Sequence, residues 1–194
     1  MKAEPSHLLV VISGPSGVGK DAALGRLKRL PRPWHFVVTA TTRAKRASER
    51  DGVDYIFMTP SEFQALQDQD GFLEQAEVYG SSYGVPWSQM EEAMQAGNDV
   101  IVKTDVQGAR TLKAKVQGAL LIFLAPPDME ELERRLRHRE SETEEALQRR
   151  IMTARQEMEH KPEFDHVVVN HNGCLEETVA AIVKIIDQEK GKRR

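Results

Sequence analysis

Five short apolar runs punctuate the chain: "HLLVVIS" (7–13), "HFVVTA" (35–40), "DVIVKTD" (99–105), "ALLIFLA" (119–125) and "DHVVVN" (165–170). Their apolar residues are consecutive rather than alternate, the mark of strands buried on both faces of a parallel sheet. Between them the period changes. "DAALGRLKRL" (21–30) carries Ala23, Leu24, Leu27 and Leu30, and "TEEALQRRIMTARQEMEH" (143–160) carries Leu147, Ile151, Ala154 and Met158, both at helical spacing. Strands alternating with helices predict an α/β fold, a mainly parallel central sheet flanked by crossover helices.

Residues 41–97 interrupt this rhythm. Short apolar stretches ("DYIFM", "FLEQAEVYG") and two helical patterns ("SEFQALQ", "SQMEEAMQ") are set off by glycines, which predicts a small α+β insertion in a core made of 1–40 and 98–194. Further on, "EELERRLRHRESETEEALQRR" (130–150) reads as two helices around a polar joint. No internal repeat or low-complexity linker is visible.

Composition narrows the class. With 194 residues, 40% hydrophobic and 29% charged, the chain is an ordinary globular sequence. At that length a fold buries roughly 70% of its unfolded surface without help from disulfides or metals. The single cysteine, Cys174, allows no internal disulfide and reads as a structural thiol. A formal net charge of -3 argues against a generic nucleic-acid binder, and the basic end "KGKRR" reads as a solvated tail. The N-terminal apolar run is too short for a signal peptide or membrane span, so a cytoplasmic location is the expectation.

The chemistry begins at "GPSGVGK": Gly14, Pro15, Ser16, Gly17, Val18, Gly19 and Lys20, placed between an expected strand and an expected helix. Glycines let successive amide hydrogens turn toward phosphate oxygens, the helix N-terminus favours an anion, and the lysine reaches the outer phosphates. Where such loops offer a hydroxyl to a magnesium ion, this chain has Asp21. A carboxylate can also hold magnesium, at the cost of repulsion with the triphosphate. Lys103 and Asp105, two apart near the end of a strand, are expected on one face beside the loop, with Lys103 offsetting Asp21 and Asp105 positioning the metal. The alternative is that Asp21 caps its helix and Lys103 is solvated.

A second motif, "TATTRAKRASERDGVDYIF" (39–57), sets Arg43 and Arg46 three apart and brings Tyr55 after a turn at Gly52. Two guanidinium forks and a phenol suit a phosphate dianion. By residue type alone, a solvated basic loop fits as well. The six histidines show no metal-ligand spacing with Cys174 or one another, so solvated or packing roles are expected.

With these residues in place, the chain resembles the guanylate kinases over essentially its whole length. The family pattern TTRxxRxxExxGxDYxF is matched by Thr41, Thr42, Arg43, Arg46, Glu49, Gly52, Asp54, Tyr55 and Phe57. The resemblance implies that Arg43, Arg46, Tyr55 and Tyr83 hold the phosphate of GMP. It also implies that Glu74, in "FLEQAEVYGSSYG", accepts hydrogen bonds from the guanine ring NH and amino group. It places Arg135, Arg139 and Arg150 in a lid at about 135–150 that closes over ATP, and Asn170 against adenine. The implied reaction is ATP plus GMP to ADP plus GDP with magnesium, with Lys20, Arg139 and Arg150 stabilising the transferring group. The implied partners are ATP and GMP, without nucleic acid or membrane, in a monomer or homodimer.

The sequence departs from the family pattern at three positions. Val85 stands where Ser or Thr is usual near guanine O6, Thr39 where Ser is frequent, and Lys103 where Asp is common. A base-free acceptor, as in a ribose bisphosphate kinase, is one rival expectation; a catalytically silent binding module is another.

Overall fold

In the computed structural model, which describes residues 7–78, 80–137 and 143–193, the five apolar runs supply a single parallel sheet. Its strands lie in the order β2 (Trp34–Phe36), β7 (Asp99–Lys103), β1 (Leu9–Ser13), β8 (Leu120–Ala125) and β9 (His166–Val169). All four neighbouring pairs are parallel. The central strand β1 is buried along its length, and its side chains divide by parity. Val10 and Ile12 join one core cluster with Leu27, Leu136, Ile151 and Ile182, whereas Leu9 and Val11 join another with Val102, Leu112 and Phe123. Opposite faces of one strand thus feed opposite cores, which explains the unbroken apolar runs.

The first core is closed by helices α1 (Lys20–Leu27), α5 (Met129–Arg137), α6 (Glu144–Glu159) and α7 (Leu175–Lys192). The second is closed by α4 (Val106–Lys115) and α3 (Trp87–Gln95). Among the described residues, no helix is long and apolar enough to cross a membrane.

Residues 40–86 build a second sheet, ordered β4 (Ile56–Phe57), β3 (Ala40–Thr41), β6 (Ser81–Pro86) and β5 (Phe72–Val78), with α2 (Pro60–Asp68) beside it. Helix α2 opens with a reciprocal cap: Thr59 Oγ1 accepts from the Glu62 N–H while the Glu62 carboxylate accepts from the Thr59 N–H. This sheet is not insulated from the core. Leu73 of β5 and Val85 of β6 pack into the cluster that holds Val100 and Val102 of β7.

Two sequence expectations change. The run "HFVVTA" is not one strand: it splits into β2 and β3, which belong to different sheets. The reason lies at Val38, whose N–H donates to Gln89 Oε1 at 2.9 Å and whose carbonyl accepts from Gln89 Nε2 at 2.9 Å. A side-chain amide from α3 takes over the ladder bonds and lets the chain leave one sheet for the other. The run "DHVVVN" forms a strand, but an edge one, with Val167 and Val169 exposed and Val168 buried against the core.

Candidate active site

Strand β1 delivers the chain to the glycine-rich loop, and backbone geometry shows why glycine is needed at two positions. Gly14 has φ 139°, and a Cβ there would lie 2.2 Å from the Leu124 carbonyl oxygen; Gly19, the residue before α1, has φ 103°. The loop therefore lies against β8 before turning into the helix. Lys20 folds its half-buried ammonium back over the loop, donating to the carbonyls of Gly14 and of Pro15, the latter at 3.1 Å. Burial lowers its pKa, an effect that the carboxylates of Glu157, Asp21 and Asp105 oppose.

The loop faces a cavity of about 600 Å³. Ser16, Gly17, Gly19, Lys20 and Asp21 line it from the loop and α1, Glu74 and Tyr83 line it from the second sheet, and Thr39 and Tyr55 line it from just before β3 and β4. Lys103, Thr104 and Asp105, where β7 hands over to α4, stand in the same cavity. Strand β7 ends at Lys103, and Asp105 is the N-cap of α4, its Oδ1 accepting from the Gly108 N–H at 2.7 Å. The two residues thus reach the cavity from a strand end and a helix cap rather than from one continuous strand.

Asp21 does not cap α1, because the N-cap is Gly19; it sits in the first turn and accepts a bond of 2.7 Å from Lys103 Nζ. Burial opposes the charge on Lys103, but Asp21 and Tyr55 outweigh it and raise the pKa. Lys103 also donates to the Tyr55 hydroxyl oxygen at 3.2 Å.

Glu74 is a strongly perturbed carboxyl group of the cavity. It is only 3% exposed, and burial, followed by the nearby Asp105 carboxylate, pushes its pKa up to about 7. A bond from Thr104 Oγ1 at 3.4 Å and the charge of Lys115 act the other way. The first turn of α4 leaves it little room, since a Cβ at Gly108 would stand 2.7 Å from the Glu74 carboxyl carbon.

The basic motif folds into a held loop. The Arg43 guanidinium donates to Glu49 Oε1 at 2.8 Å, and the other oxygen, Oε2, accepts from the Arg46 N–H at 2.8 Å. That same Glu49 bond leads the contacts that raise the Arg43 pKa. Arg43 also lies 5.4 Å from the Tyr55 ring centroid, and Tyr83 meets Tyr55 edge-on at 6.0 Å. Arg46 is exposed.

Other expected residues stand elsewhere. Val85 has no exposed surface and packs with Leu73 and Val102, so its side chain belongs to the core and does not line the cavity. Asn170 is buried, its Nδ2 donating to the Val18 carbonyl at 2.7 Å and its Oδ1 accepting from Thr178 Oγ1 at 2.9 Å. Arg135 donates to the carbonyls of Val18 and Asn170, bracing the back of the loop. Arg150 reaches the loop itself, Nη2 to Ser16 Oγ at 3.0 Å. Arg139 lies outside the described residues.

Thr104 and Glu157 are among the cavity residues that escaped the sequence reading. Glu157, on α6 seven residues after Arg150, accepts from the Ser16 N–H at 3.3 Å. Burial raises its pKa against the pull of Lys20. The seven-residue spacing, two helical turns on one face, was the available signal.

The chain is similar to known proteins over nearly its whole length. The family model described as Guanylate kinase matches residues 6–189. A guanylate kinase 2 of rice, described as chloroplastic/mitochondrial, is 46% identical over 189 residues, which cover 97% of this chain and 66%, just under two thirds, of that protein. A guanylate kinase of Rickettsia bellii is 40% identical over 186 residues, 96% of each chain. Among solved structures, a guanylate kinase from Anaplasma phagocytophilum superposes with a TM-score of 0.76 at 31% identity, covering 97% of this chain and 88% of that one. A phosphate loop and a buried carboxylate facing one cavity, on a chain matched almost end to end, place this protein in the guanylate kinase family.

Proposed function

We propose that the protein transfers the γ-phosphoryl group of ATP to GMP, yielding ADP and GDP, in cytoplasmic purine nucleotide metabolism. The observation that carries this reading is the shared cavity, which Lys20 and the phosphate loop line together with Glu74, Tyr55 and Tyr83. An ionised Glu74 matches the two adjacent donors of guanine. Adenine presents an acceptor at the corresponding ring nitrogen and would leave a buried group unpaired. A base-free sugar phosphate gives Glu74 nothing to bind, and a silent scaffold gives no reason to fold Lys20 over a phosphate loop that faces the same cavity.

The acceptor oxygen of GMP is already anionic, so the enzyme needs no strong general base. Its work is to bring two polyanions into line and to neutralise charge as it moves. In this reading Arg43, Arg46, Tyr55 and Tyr83 hold the acceptor phosphate, and Thr39 stands near the base. Gly14 to Lys20 cradle the donor phosphates, and Lys20, Arg139 and Arg150 stabilise the transferring group. Residues 41–97 would act as the GMP-binding unit and about 135–150, with Arg135, as the lid. Closure of the two would exclude water, the competing acceptor.

Magnesium fits the residues present. Among the described residues no cluster of three or more acidic, histidine or cysteine groups forms a protein cage. Magnesium ordinarily takes one or two carboxylates and completes its shell with phosphates and water. Asp21 and Asp105 would hold it, and when bound it would neutralise charge on the donor phosphates.

The test is ADP release with ATP and magnesium, run in parallel on GMP, dGMP, IMP, AMP and ribose 1,5-bisphosphate. Turnover on GMP is expected. The Glu74→Gln variant should lose about a hundredfold in kcat/KM for GMP, from two charge-assisted hydrogen bonds weakened to neutral ones. Turnover on the ribose bisphosphate in preference to GMP, or none on any acceptor, would overturn the reading.

A further inference from the structure

Lys103 stands where the donor and acceptor halves of the cavity meet, and its contacts run to both. Its ammonium is 2.7 Å from Asp21 Oδ1, in the first turn of α1, and 3.2 Å from the Tyr55 hydroxyl, on the second sheet. It also lies 4.9 Å from the Tyr55 ring centroid. An ammonium only donates, so Tyr55 must accept this bond on its oxygen. The phenol hydrogen is left to find another acceptor, and among the described residues none takes it. Since Tyr55 lines the cavity, that hydrogen is available to whatever anion arrives there. Donation from a cation also polarises the phenol and makes its O–H a stronger donor.

We propose that Lys103 is a positioning residue of the acceptor site: anchored on Asp21, it donates to the Tyr55 oxygen and so presents the phenol hydrogen to the acceptor phosphate. The relay Asp21, Lys103, Tyr55 ties the phosphate-loop helix to the acceptor clamp through three side chains. It rests on the reading that GMP is the acceptor. An acidic residue in place of Lys103 could offer Tyr55 only an acceptor, and would draw the phenol hydrogen away from the phosphate.

The experiment is equilibrium binding of GMP, and of guanosine as the control lacking phosphate, without ATP or magnesium. It is measured by calorimetry on the wild type, Lys103→Met, Tyr55→Phe and the double variant. Each single variant should weaken GMP by about tenfold, the scale of one hydrogen bond to a charged group. The double variant should be no weaker than about twentyfold, because both changes remove one relay, and guanosine affinity should stay within about twofold throughout. A double variant weakened by about a hundredfold, the product of independent effects, would mean that Lys103 touches the phosphate directly or acts elsewhere, and would overturn the relay. Equal losses for guanosine and GMP would assign Lys103 to the architecture of the site and overturn it too.

If Lys103→Met does not fold, Asp21→Asn carries the same comparison: it should weaken GMP in the parent but not in Tyr55→Phe, and an equal loss in both backgrounds would count against the relay. A wild type that does not bind GMP would overturn the acceptor reading itself, a result distinct from additive losses in a protein that does.

Discussion

Glu74 shows how a single side chain can be costly to the fold and useful to the site. In solution a glutamate ionises near 4.5, but burial and the Asp105 carboxylate move this one to about 7. Between these values the native protein holds a proton that the unfolded chain has released, so stability falls as pH rises from 4.5 toward 7. Glu74→Gln removes that cost. At pH 8 the variant should be more stable than the parent, by on the order of 2 kcal/mol, and the gap should close as pH falls toward 4.5. Urea titrations at the two pH values check this, and an equal gap at both would refute it. On the proposed reading, in which guanine donors pair with the ionised form, GMP affinity of the parent should fall as pH drops below 7. The residue type was visible in the sequence; its burial was not, because it depends on a helix that begins 32 positions further along.

At the scale of elements, that helix is α4. Asp105 caps it, and its first turn carries Gly108 against Glu74. The sequence did not single α4 out, since its register is set by packing against β5 and β1 more than by strong local signals. Gly108→Ala would bring a methyl group within 2.1 Å of Thr104 Oγ1 and 2.7 Å of the Glu74 carboxyl. It should weaken GMP by about tenfold, as a displaced carboxylate loses one charge-assisted bond, and leave ATP affinity within about twofold; titrating each nucleotide separately decides it, and a loss confined to ATP would refute it. Helix α6 is the contrasting case. Its apolar face at Leu147, Ile151 and Ala154 was legible from spacing alone. The same periodicity fixes Arg150 and Glu157 on one side, and both meet Ser16 in the phosphate loop.

Over the whole molecule, buried polar contacts join segments that are distant in sequence. Asp99, 1% exposed, accepts from the Leu8 N–H at 3.1 Å and from Lys190 Nζ at 2.6 Å, tying β7 to the chain entering β1 and to the end of α7. Asp99→Ala strands a buried amide and a half-buried ammonium, and should destabilise the fold by about 2 kcal/mol. Urea unfolding measures it, and a change below about 0.5 kcal/mol, the scale of an ordinary surface substitution, would refute it. Asn170 acts in the same way at the end of the edge strand β9, joining the phosphate loop to α7 through Val18 and Thr178.

The sequence by itself determined the fold class, because consecutive apolar residues and helical periods are local consequences of which faces are buried. It also determined the phosphate loop, whose glycines are required by backbone angles within seven residues. Tertiary structure decided the rest. It withdrew Val85 into the core, since a side chain's face depends on what packs behind its strand, and it split "HFVVTA" between two sheets through an amide supplied from α3. It set Lys103 between Asp21 and Tyr55, 82 and 48 positions away along the chain. Hydrogen bonds and charge effects act over a few ångströms of space, and only the folded chain fixes which residues share them.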